Sequence, residues 1–70
     1  MDFDRIKFQV KQNEAGFVVV EQRYAGSKLV SGKELGIVHG RKEDAFRALD
    51  SLVILTRQTS PKILIESETP

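Results

Sequence analysis

The chain has 70 residues, no cysteine, one histidine and a net charge of +1, with 40% hydrophobic and 30% charged residues. Such a chain is one domain near the lower size limit for folding on a single core. Its composition excludes a disulfide scaffold, a zinc fold built on about four Cys, His or carboxylate ligands, and a disordered tail.

Residues 5–12, RIKFQVKQ, alternate, with Ile6, Phe8 and Val10 on one face and Arg5, Lys7, Gln9 and Lys11 on the other. That period predicts a half-buried strand. Asn13-Glu14-Ala15-Gly16 is turn chemistry, because Asn and Gly accept the positive φ of a tight hairpin. Residues 17–24 then predict a second strand. Phe17, Val18, Val19 and Val20 are apolar on both faces, which calls for cover on both sides and a central place in the sheet, with Phe17 or Val19 partly exposed.

After Ala25-Gly26-Ser27 the run KLVSGKELGIV reads in two ways, as one irregular strand kinked at Ser31-Gly32, or as a loop leading into a short strand over residues 34–38. Gly26, Gly32, Gly36 and Gly40 recur too often for an uninterrupted strand, so a bulged or looped hairpin arm carrying Arg23, Lys28 and Lys33 is expected. Residues 41 to about 57 predict the helix, with Ala45, Phe46, Ala48, Leu49, Leu52, Val53 and Leu55 on its apolar half and Ile54 alone on the polar side. Glu43 and Asp44 in the first turn and Arg57 in the last suit the helix dipole, and Glu43 and Arg47 have i,i+4 spacing. Pro61 stops the helix. Residues 62–66, KILIE, predict a last strand able to return parallel to the first, and residues 66–70 are expected to fray. The expectation is a single α+β domain over residues 1–70, in the order β-β-β-α-β, with a mainly antiparallel sheet and one helix on one face.

No apolar run exceeds four residues, against the roughly 20 that span a bilayer. The acidic start, Met-Asp-Phe-Asp, carries no signal-peptide pattern, so a cytoplasmic protein is expected, and the small size suggests a phage or mobile-element origin. Catalysis needs convergent groups, and the chain spells no GxSxG, HExxH, P-loop or GxGxxG pattern. The carboxylate pairs Asp2/Asp4 and Glu66/Glu68 fall at the two ends, where no pocket is expected to perturb them. No catalytic residue, metal or cofactor is therefore expected, and His39 reads as structural or solvated.

Charge is unevenly spread. Residues 22–62 hold eight Lys or Arg against Glu34, Glu43, Asp44 and Asp50, while both ends are acidic. Arg23, Lys28, Lys33, His39, Arg41, Lys42 and Arg47 would line one side if the hairpin arm and the helix start lie together. Arg5, Lys7 and Lys11 would join them if Ile6, Phe8 and Val10 pack under the helix. Cations so placed contact phosphates, whereas scattered they only solvate the surface.

Residues 32–49, with Gly32-Lys33-Glu34-Leu35-Gly36, Arg41-Lys42 and the helix start at 45–49, resemble the arm-type DNA-binding domain of phage lambda-type tyrosine recombinases. That resemblance implies a three-stranded sheet laid in the major groove with a helix behind it, and Arg23, Lys28 and Lys33 facing DNA. In layout, RIKFQVKQNEAGFVVV followed by GRKEDAFRALDSL is similar to the N-terminal domain of HicB-type antitoxins, with Gly40, Glu43 and Ala45 near the spacing of a Gly-x-x-x-Glu-x-Ala helix. That likeness implies a partial ribonuclease H fold that binds a protein toxin.

Two functions are carried forward. The first is nucleic-acid binding through Arg23, Lys28, Lys33, Arg41, Lys42, Lys7 and Lys11, with Tyr24 available to stack. The second is a protein-binding inhibitor or antitoxin-like module that uses a sheet edge or a Phe17/Ile54 apolar surface, as a monomer or a homodimer. The discriminating feature is the uncovered sheet face: cations alone favour nucleic acid, while Glu21, Glu34 and Glu66 on that face would cancel them and favour a protein.

Overall fold

The computed structural model describes residues 3–70. The strand predicted from the Ile6/Phe8/Val10 alternation is β1 (Arg5–Asn13), which pairs antiparallel with β2 (Gly16–Ala25), Arg5 opposite Tyr24 and Asn13 opposite Gly16. Asn13 closes the turn through its side chain, with Oδ1 accepting from the N–H groups of Ala15 (2.9 Å) and Gly16 (3.0 Å). It does not adopt the positive φ expected of it. Gly16 does, at 144°, and a Cβ there would lie 2.5 Å from the carbonyl oxygen of His39. Glycine is required at that point by the close approach of the neighbouring strand.

That neighbour is β3 (Lys28–His39), antiparallel to β2 through the turn at Gly26, φ 63°. It is one bulged strand of 12 residues, the first of the two readings of this run but without the kink at Ser31-Gly32. Register shifts fall instead opposite Arg23/Tyr24, where Val30 is the extra residue, and opposite Phe17/Val19, beside Gly36 at φ 62°. Between them residues 31–35 pair in unbroken register with residues 19–23.

The helix, α1 (Lys42–Thr59), leaves Arg41 extended and ends where the N–H of Ser60 donates to the carbonyl of Thr56, at 2.8 Å. Ala45, Phe46, Leu49 and Val53 are buried, and Ala48 and Leu52 pack beside them against Ile6, Phe8 and Val19. Leu55, expected on this face, is exposed, because the stripe continues through Thr56 and leaves Leu55 off its edge. Ile54 is exposed as well. Glu43 pairs with Arg41 at 3.2 Å, not with Arg47.

The chain then returns as β4 (Leu64–Ser67), parallel to β1, Arg5 opposite Leu64 and Phe8 opposite Ser67. The sheet order is β3-β2-β1-β4, a mixed and mostly antiparallel sheet. This is the α+β, β-β-β-α-β domain that the sequence predicts. The fraying expected for residues 66–70 does not describe 66–68. The N–H of Glu68 donates to the carbonyl of Phe8 (3.0 Å), its Oε1 accepts from the N–H of Val10 (2.9 Å), and Glu66 bonds Arg5. The carboxylate continues the β1–β4 ladder beyond the strand. At the other end Asp4 accepts from the N–H of Gly26, and Asp2 lies outside the described residues. No helix among the described residues is long and apolar enough to cross a membrane.

Leu49 is fully buried under this arrangement and Ile54 is not. Leu49→Ala is expected to lower unfolding free energy by about 2–5 kcal/mol, and Ile54→Ala to change it by less than about 0.5 kcal/mol, both read from urea denaturation midpoints.

Candidate functional site

Residues directly opposite in a ladder share a face, so the registers sort the paired side chains of the sheet. The helix-covered face carries Ile6 and Phe8 of β1, Phe17, Val19, Glu21 and Arg23 of β2, and Lys33 and Leu35 of β3. The uncovered face carries Arg5, Lys7, Gln9 and Lys11, then Val18, Val20, Gln22 and Tyr24, with Glu34 opposite Val20 and Glu66 opposite Lys7.

The candidate cations therefore separate into distinct groups. Arg23 and Lys33 lie on the helix side, where Arg23 Nε is 3.1 Å from Oε1 of Glu21 and Lys33 Nζ is 3.8 Å from Oε2. Glu21 is buried, so a carboxylate on this strand needs such partners, and Arg23 also stacks over Phe3 at 4.8 Å. Lys28 stands at the tip of the β2–β3 hairpin, opposite Ala25. Arg41, Lys42 and Arg47 stand at the helix start, at the other end of β3, roughly 30 Å from that tip along the strand. The hairpin arm and the helix start do not lie together, so the condition under which these cations would line one side is not met.

On the uncovered face three cations, Arg5, Lys7 and Lys11, share the surface with two carboxylates, Glu34 and Glu66. Arg5 is held at 2.6 Å by Glu66 and lies 4.3 Å over the ring of Tyr24, whose hydroxyl donates to Gln22. Tyr24 is thus already stacked and bonded within the domain. Glu21, grouped in the sequence with the other acids, faces the helix side.

Phe17 and Ile54 do not share a surface. Phe17 is half-buried and lines a hollow of about 340 Å³ with Val10, Gln12, Lys42 and Phe46, whereas Ile54 projects from the helix about 12 Å further along its axis than Phe46. His39 is half-buried opposite Phe17.

Sequence reasoning offered a sheet edge for protein binding but did not single out the exposed apolar residues of β3. That strand forms one border of the sheet, and all of its residues except Leu35 and His39 are exposed. Leu29 (51% exposed) and Val30 (45%) sit near its start, Ile37 (74%) and Val38 (43%) near its end. The signal was present as two apolar pairs, Leu29-Val30 and Ile37-Val38, eight residues of strand apart, but four glycines around them read as interruption. No family model, curated protein or solved structure matches the chain.

Removing Arg23 leaves the buried Glu21 carboxylate with only the longer Lys33 contact, whereas removing Lys33 leaves the shorter bond intact. Arg23→Ala is expected to destabilise the fold by about 1–2 kcal/mol, and Lys33→Ala by less than about 0.5 kcal/mol, compared by chemical denaturation.

Proposed function

We propose that the chain is a non-enzymatic protein-binding module that takes an extended segment of its partner along the outer edge of β3. The observation that carries this reading is the border strand of 12 residues with its outer edge open among the described residues and exposed apolar side chains near both ends. An unpaired strand edge offers a row of N–H and C=O groups that a second strand satisfies, and side chains on alternate faces then give selectivity. The charge on the uncovered face supports the same choice, since Glu34 and Glu66 share it with Arg5, Lys7 and Lys11 and Glu66 pairs with Arg5. A cytoplasmic setting and an inhibitor or antitoxin-like role go with this reading.

A second reading, nucleic-acid binding, is favoured by one observation: Lys7 and Lys11 lie on the uncovered face with no acidic partner within ion-pair distance among the described residues.

A benzophenone side chain placed at Leu29 or Ile37 is expected to crosslink a discrete protein in a lysate of the source cells, and the same group at Gln58, exposed on the helix, is not. In parallel, anisotropy with labelled duplex DNA, single-stranded DNA and RNA is expected to show no binding that falls steeply with salt. Steep salt-dependent binding abolished by Lys7→Glu/Lys11→Glu, with no crosslink at β3, would reverse the choice in favour of nucleic acid.

A further inference from the structure

We infer that the β3 edge selects a strand unlike itself, an extended segment of another protein carrying a carboxylate residue next to a basic one, and rejects a second copy of this chain. The inference rests on the edge-binding reading above and concerns which strand that edge accepts.

The regular part of the edge is short. Residues 31–35 pair in unbroken register with β2, and the register shifts at Val30 and beside Gly36 bound this segment at both ends. Bulges twist an edge out of line and limit what can be added to it. The segment reads Ser31-Gly32-Lys33-Glu34-Leu35, with opposite charges at neighbouring positions and so on opposite faces.

Two copies of one chain joining a common edge into a continuous antiparallel sheet are related by a twofold axis through the pairing, and the residue at that axis lies opposite itself. All five residues pair with their copies only when Lys33 is at the axis, which sets Lys33 against Lys33 of the second copy. Moving the axis to Glu34 sets two carboxylates together. Moving it to Gly32 leaves residues 31–33 paired and runs next into the bulge at Val30. Like charges directly opposite on a sheet are destabilising.

A foreign strand has no such constraint. Lys33 is 63% exposed on the helix side and lies 3.8 Å from Glu21, leaving its ammonium open to a further carboxylate. Glu34 is exposed on the other face. An acidic residue opposite Lys33 and a basic one opposite Glu34 satisfy both, and in an antiparallel partner the basic residue directly precedes the acidic one.

The test uses two peptides carrying fluorescein on the N-terminal amine, fluoresceinyl-Thr-Val-Lys-Glu-Thr-Thr-amide and the same sequence with Lys in place of Glu, together with amide chemical shifts of the 15N-labelled protein and sedimentation equilibrium. The Glu-bearing peptide is expected to bind about two- to five-fold more tightly, with shifts centred on residues 31–35, and this preference is expected to invert in Lys33→Glu. The protein itself is expected to sediment as a monomer. Equal binding of both peptides with shifts at 31–35 overturns the charge selection and leaves the edge-binding reading standing. A dimer whose amide shifts on dilution map to β3 overturns the rejection of a second copy. Binding of neither peptide, with no shift on β3, overturns this inference, and a lack of crosslinking at Leu29 and Ile37 then identifies the edge-binding reading as the cause.

Discussion

A single helix can lie over only one face of a four-stranded sheet, and the rest of the architecture follows from how the other face is closed. Under α1 the core is made by Phe46, Leu49 and Val53 against Ile6, Phe8 and Val19. Val18 and Val20 point the other way and are nevertheless buried, outside that cluster. They belong to β2, which has β1 on one side and β3 on the other. Lys11 and Gln9 are opposite them on one side, and Glu34 is opposite Val20 on the second. Long polar side chains cover apolar neighbours with their methylene stems and keep their charged ends in water. The uncovered face is therefore closed by the sheet's own residues, and charges of both signs stand there because both strands flanking β2 supply stems.

The same limit explains why β3 is the surface of interest. A helix placed over β1, β2 and β4 reaches β3 mainly at Leu35, which is half-buried against the core. The remainder of β3 is held by its ladder with β2 and by the Lys33 contact with Glu21. A strand fixed mainly through its inner edge keeps its outer edge and most of its side chains available, and its bulges and its adjacent Lys33 and Glu34 then decide what can be added. The buried carboxylate of Glu21 couples this border to the interior. Its partners Arg23 and Lys33 come from β2 and β3, so one cation of the border strand also contacts the interior.

The legible parts of the molecule were those governed by local period. The β1 alternation placed Ile6 and Phe8 under the helix, the helical stripe placed Phe46, Leu49 and Val53 on them, and Pro61 marked the helix stop. The double-sided apolar run of residues 17–20 placed β2 at the sheet centre. The third strand was less legible, because Gly26, Gly32, Gly36 and Gly40 suggested breaks throughout, and only Gly26 and Gly36 of these take positive φ. Gly32 is an ordinary paired strand residue opposite Gln22. The Glu68 carboxylate, which carries the ladder past β4, gave no local signal at all, since its role depends on an N–H of Val10, far away in sequence.

The sequence by itself determined the elements, their order and which residues are apolar enough to be buried, because period and turn chemistry act between residues close along the chain. Only the tertiary structure decided which cations stand together, since a residue's face depends on registers set between strands distant in sequence. Arg23 and Lys33 were drawn to the buried Glu21, Arg5 to Glu66, and Lys28 was carried to the far end of β3 from Arg41. Equal charges in the sequence thus became anchors or free surface according to the acid that the register brought beside them.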